Sequence, residues 1–110
     1  MSDYIGCSSK LTAYGCDAHA EGDHTKAIGN FSHAEGFFTE VYDLYSHAEG
    51  NYTKVLSGNA GHAEGYQTEV SANYAHAEGT YAKAYGEGSH AEGDNTLAQG
   101  AKAHAEGGGT

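Results

Sequence analysis

The chain has 110 residues, a formal net charge of −10, five Lys and no Arg, a balance that excludes nucleic-acid binding through phosphate contacts. Leu, Ile, Val and Phe together number only twelve while glycine numbers 17, which excludes a conventional bulky core and, on composition alone, reads as disorder. No apolar run is long enough to span a membrane, and two cysteines, Cys7 and Cys16, do not make a disulfide framework.

One internal pattern overrules the compositional reading. The tetrapeptide His-Ala-Glu-Gly begins at His19, His33, His47, His62, His76, His90 and His104, in steps of 14 residues with a single step of 15 between His47 and His62. Self-similarity at a fixed short period marks a solenoid, in which each coil buries itself on its neighbours and a thin core suffices.

In chain order, residues 1–18 read as a degenerate capping coil. Ile5, Gly6, Cys7 and Ser8 fall where the motif is expected, Leu11 takes the place of a recurring Thr, and Ala13 and Gly15 keep their columns. The start of the chain has neither a basic segment nor an apolar stretch, so no secretory signal is expected. Cys7 and Cys16 read as free thiols of this cap. Residues 19–110 form the repeats, in one domain with the cap.

Each coil divides into two short strands. In the first, His and Glu lie two apart and share a face, while the Ala between them faces the other way. Ala20, Ala34, Ala48, Ala63, Ala77 and Ala91 are therefore inward residues, and the motif Gly is expected to permit a turn. In the second strand, period-2 alternation puts Thr25, Thr39, Thr53 and Thr68 inward together with Ala27, Val41, Val55 and Val70. Between them, facing outward, run Lys26, Glu40, Lys54, Glu69 and Lys83. Stacked in register, these alternate in sign and like charges never meet. The extra residue of the long step lies in Ser57-Gly58-Asn59-Ala60-Gly61 and reads as a bulged turn. The chain stops half-way round a coil, at Gly107 to Thr110, which is expected to leave an open strand edge. These columns predict an all-β parallel β-roll of about seven 14-residue coils, roughly 34 Å long at about 4.8 Å per coil.

The residue after each motif varies freely: Asp23, Phe37, Asn51, Tyr66, Thr80 and Asp94. The pairs His19/Glu21, His33/Glu35, His47/Glu49, His62/Glu64, His76/Glu78, His90/Glu92 and His104/Glu106 do not vary. Stacked Glu residues repel, so a partner is expected in every coil. The simplest is the same face of identical chains around a threefold axis, Glu of one against His of the next. His with carboxylate is also metal-ligand chemistry. Sevenfold repetition reads as architecture, however, and no metal, cofactor or catalytic site is assigned. With no third orienting residue and no unique nucleophile, an enzyme is not expected.

Outside the motif, Phe37, Phe38, Tyr42, Tyr45, Tyr52, Tyr66, Tyr74, Tyr81 and Tyr85 are outward aromatics. They either cover the roll and clamp neighbouring coils or form a receptor, glycan or filament-contact surface. The inward register of the Thr column counts against ice binding.

The stretches Ser32 to Gly36, Ser46 to Gly50 and Ser89 to Gly93 read Ser-His-Ala-Glu-Gly, each followed by x-x-Thr and a small residue two later. They resemble the YadA-like head repeats of trimeric autotransporter adhesins and the similar repeats of phage tail-fibre and appendage proteins. The resemblance covers about residues 5 to 110. It implies a left-handed β-roll that trimerises through one sheet. Adhesin heads carry apolar residues where His and Glu stand here, and a phage fibre segment suits the absence of a stalk, an anchor and a signal. The functions that follow are a rigid trimeric shaft or receptor-binding segment, in a virion fibre or at a cell surface; a filament subunit that stacks head to tail; or a repeated His/Glu metal-binding scaffold.

Overall fold

The computed structural model describes residues 2–5, 11–13, 16–57 and 59–109. The expectations placed on Gly6, Cys7, Ser8, Gly15, Gly58 and Thr110 lie outside the described residues. Among the described residues, regular structure is all strand, in two parallel sheets. The first sheet runs β1 (Ser2–Ile5), β3 (Ala18–Asp23), β5 (His33–Phe37), β7 (His47–Asn51), β9 (His62–Tyr66), β11 (His76–Thr80), β13 (His90–Asp94) and β15 (His104–Gly108). The second runs β2 (Leu11–Ala13), β4 (Thr25–Ala27), β6 (Glu40–Val41), β8 (Lys54–Val55), β10 (Glu69–Val70), β12 (Lys83–Ala84) and β14 (Leu97–Ala98). The chain alternates between the sheets, one strand in each per coil. The parallel β-solenoid expected from the repeat is therefore present. It is a flat rod with extents of 38 × 22 × 12 Å.

Register is one-to-one along both sheets. His47 pairs with His62 and Glu69 with Lys54, so the 15-residue step leaves the strands on either side in line. The extra residue is taken up in the corner between β8 and β9, where the Ala60 N–H donates to the Leu44 carbonyl. At the N-terminus the register differs from the expected one. Asp3, Tyr4 and Ile5 pair with His19, Ala20 and Glu21, two residues earlier than the Ile5 to Ser8 alignment. In sequence, Gly6 then follows Ile5 as Gly22 follows Glu21. The offset is two residues, one period of a strand. In the second sheet Leu11 pairs with Thr25 and Ala13 with Ala27.

The core is a thin double file of small side chains. Ala20, Ala34, Ala48, Ala63, Ala77 and Ala91 are fully buried from the first sheet, and Ala27, Val41, Val55, Val70, Ala84 and Ala98 from the second. Thr25, Thr39, Thr53, Thr68 and Thr96 are buried beside them, and Ala82 takes the same column in the fifth coil. The Oγ1 atoms of these five Thr have no hydrogen-bond partner. Their value is shape, and the hydroxyl carries a desolvation cost. Ser32, Ser46 and Ser89, just before the motif, are buried too. They latch the corner: Ser32 Oγ donates to the Gly29 carbonyl at 2.6 Å, and the Gly61 and Gly86 N–H groups donate to Ser46 and Ser89 Oγ.

The motif glycine does not make a turn. It lies inside the strand, paired glycine to glycine from Gly22 to Gly107, with φ between +107 and +119°. A Cβ on Gly36 would overlap the Gly50 carbonyl oxygen, and the same holds for each coil up to Gly93. Glycine is needed for close approach and for φ together.

The corners recur every seven residues. His24, Phe38, Tyr52, Gln67, Tyr81 and Asn95 turn one edge with positive φ; Asp17, Phe31, Tyr45, Ala60, Tyr74 and Lys102 turn the other. A non-glycine residue there costs about 1–2 kcal/mol. Two contacts offset it. From Phe31 onward each corner N–H donates to a carbonyl of the preceding coil, as Tyr52 does to Phe37 at 2.8 Å. Neighbouring rings also stack: Phe38 on Tyr52 at 5.0 Å and Phe31 on Tyr45 at 5.3 Å between centroids.

Candidate functional site

The outer face of the first sheet is the candidate site. Because the strands are parallel and in register, every histidine stands directly over the next. Consecutive ring centroids from His19 to His104 are 4.5 to 4.9 Å apart, the spacing of adjacent strands. All but the first pair are stacked within 17° of parallel.

Each histidine also meets the glutamate of its own motif. The Nε2 to Oε1 distances run from 2.6 to 3.0 Å over the seven coils. Residues two apart on a strand share a face, so the pairing is built into the tetrapeptide. The expectation that Glu repulsion demands a second chain in every coil thus loses its premise, since each Glu has a donor within its own coil. The pairs differ in quality. His19 and His33 make aligned hydrogen bonds. In His47, His62, His76 and His90 the Nε2 is closed off from water and lacks an aligned bond, although the carboxylate oxygen is 2.8 to 3.0 Å away. Those four are close electrostatic contacts with the oxygen off the N–H axis.

The last pair is more open than the other six. His104 and Glu106 lie 2.9 Å apart like the others, but their side chains are 53% and 64% exposed. They sit on β15, the outermost strand of the first sheet, so among the described residues a coil shields them on one side only. Glu106 is therefore an exposed end residue rather than a half-buried member of the face like Glu49 or Glu64.

Burial holds His47 and His76 below their ordinary pKa of 6.5, with the neighbouring rings adding to the effect and the glutamates opposing it. Both side chains therefore favour the neutral imidazole. The face remains open in the single chain: His62 and Glu64 side chains are 35% and 39% exposed.

The opposite sheet carries the Lys26-Glu40-Lys54-Glu69-Lys83 ladder in register. Among the described residues only Lys26 and Glu40 of this ladder come within ion-pair distance, at 4.0 Å. Tyrosines take up the carboxylates instead: Tyr42 donates to Glu40 at 2.9 Å and Tyr85 to Glu69 at 2.6 Å. Burial and the Glu69 bond push the Tyr85 phenol up to about 12.

The outward aromatics fall into separate groups. Phe38, Tyr52 and Tyr81 are corner residues on one edge, with Phe37 and Tyr66 at the neighbouring strand ends. Tyr42 and Tyr85 lie on the second sheet's side, bonded to its glutamates. Tyr45 and Tyr74 turn the far edge with Phe31, which sequence reasoning passed over. They do not converge on one surface. The far-edge column was signalled in sequence by Phe31, Tyr45 and Tyr74, two residues before the motifs at His33, His47 and His76. Cys16 is a free, exposed thiol.

Five sets of a histidine, its glutamate and the next histidine bring three ligand atoms within 4.8 Å of one another: His19-Glu21-His33, His33-Glu35-His47, His62-Glu64-His76, His76-Glu78-His90 and His90-Glu92-His104. Glu106 belongs to none of them. Two imidazoles and a carboxylate suit zinc and its neighbours. No match was found to a protein-family model, to a curated protein or to a solved structure.

Proposed function

We propose that this protein is a non-enzymatic structural module, a rigid rod segment that assembles as a homotrimer through its His/Glu sheet. The observation that carries this reading is the face itself. It presents the same partly exposed pair on all seven coils, while the neighbouring outward column varies from Asp23 to Phe37 to Tyr66. A self-complementary repeated surface is what a cyclic oligomer uses. The resemblance to adhesin-head and phage-fibre repeats adds a left-handed coil and a place in a virion fibre or at a cell surface, with a receptor or glycan as its partner.

Sedimentation equilibrium of the purified chain tests the assembly. The expected mass is three chains, and replacing His62 and Glu64 together with Ala lowers the melting temperature of the trimer. A mass equal to one chain at micromolar concentration overturns the reading. Electron microscopy of the same sample separates discrete rods, the expected result, from unending filaments.

A further inference from the structure

We propose that the His/Glu face is also a set of discrete sites for divalent first-row cations, zinc foremost, and that it holds no more than three ions per chain. The inference goes beyond the structural role and shares its face; all ligands of each site come from one chain.

The geometry is close to that of a bound ion. Three atoms within 4.8 Å of one another leave each side chain less than about 1 Å from zinc–nitrogen and zinc–oxygen contacts of roughly 2.0–2.2 Å. In the last set, the Glu92 Oε1 already lies 3.0 Å from His90 Nε2 and 3.9 Å from His104 Nε2. The carboxylate sits between two rings. A cation there requires the two rings, stacked near parallel without it, to swing until both nitrogen lone pairs aim at it. Two His and one Glu leave one tetrahedral position for water.

The limit of three follows from the imidazole. A neutral ring has one acceptor nitrogen, so one histidine serves one ion and overlapping sets exclude each other. The five sets fall into two blocks. Among the described residues, His47, Glu49 and His62 do not close to the same distance; the break coincides with the 15-residue step. The first block, His19, His33 and His47, holds one ion through either of two sets. The second, His62, His76, His90 and His104, holds two, through His62-Glu64-His76 and His90-Glu92-His104.

This pairing rule makes substitutions unequal. Removing an end of the first block leaves the other set intact, whereas removing its centre destroys both. The test is equilibrium dialysis of the full chain, without an oligohistidine tag, against zinc chloride, with bound zinc counted per chain. The expected saturation is three for the native protein, three for His19→Gln, and two for His33→Gln. His76→Gln also gives two, because it strands His62, and His47→Gln gives three. These side chains are half-exposed, and far-ultraviolet circular dichroism checks each fold; the His47 and His76 variants repeat the contrast should one of the first pair fail to fold. A native count above three, an equal count for His19→Gln and His33→Gln, or no retained zinc overturns the proposal.

Discussion

The two sheets solve one electrostatic problem in different ways. Parallel in-register stacking sets each residue against its counterpart a coil away, so an ionised side chain repeated in a column meets its own kind. On the second sheet the sequence alternates Lys and Glu, and the relief lies between coils. On the first sheet the column is uniform, and the relief lies within each coil, where Glu meets its own His. The first solution fixes the residue at every coil. The second asks only that neighbours differ, and so tolerates Leu97 at the end of the ladder. The invariant pair is local, and the backbone repeats it on every coil.

The largest expected effect breaks the first sheet at its backbone. Gly65→Ala sets a Cβ into the Gly79 carbonyl, and should cost roughly 3 kcal/mol from overlap and left-handed strain together. Gly107→Ala has a similar φ but nothing within 4 Å, and should cost about 1 kcal/mol. Urea denaturation of the two variants gives the contrast; equal losses would show that φ alone, not stacking, requires the glycine.

Acid is the next test, and it bears on the first sheet. Folded His47 and His76 hold protons less readily than the unfolded chain. The stability this contributes is present above the ordinary value of 6.5 and is lost as pH falls below it, because the unfolded state then takes up protons first. The melting temperature should fall between pH 7.5 and 5.5, and less steeply in a His47→Gln, His76→Gln double variant. A flat native profile would sink the idea.

On the second sheet, Lys54→Glu sets three carboxylates in consecutive coils. It should destabilise by a few tenths to about 1 kcal/mol, and added salt should recover most of that. An effect indifferent to salt would mean that the ladder's charges do not interact. The smallest effect lies between the sheets. Thr53→Val removes a buried, unpartnered hydroxyl and keeps the shape, so stability should stay within about 1 kcal/mol and tend upward. A loss of 2 kcal/mol would reveal a hydroxyl contact that the fold does not display.

Much of this was legible in the tetrapeptide. An invariant Ala between His and Glu places itself in the interior of a narrow coil, and the Thr and Val columns follow from alternation. The His–Glu pairing was equally available, since residues two apart share a face; attention to repulsion between coils pointed to a second chain instead. The openness of Glu106 was not written in its motif, which is identical to the other six; it comes from the strand's place at the end of the stack. The glycine was misread as a turn, because a strand glycine with positive φ is a response to the coil above it, which local sequence does not contain. Tyr52 and Tyr74 as left-handed corners escaped for the same reason. Bulky residues rarely take that conformation, and here contacts between coils hold it. At the N-terminus the 14-residue count missed the register of β1, whose Ile5 pairs with Glu21.

The stacked glycines have a mechanical consequence. Backbone already touches backbone from Gly22 to Gly107, with no side chain between to yield. Under a load along its axis the rod has no slack to give up, and its coils cannot be pressed closer. Its height is then a matter of arithmetic: one more fourteen-residue unit adds about 4.8 Å and nothing else changes. Such a chain is a ruler whose graduations are written in the gene.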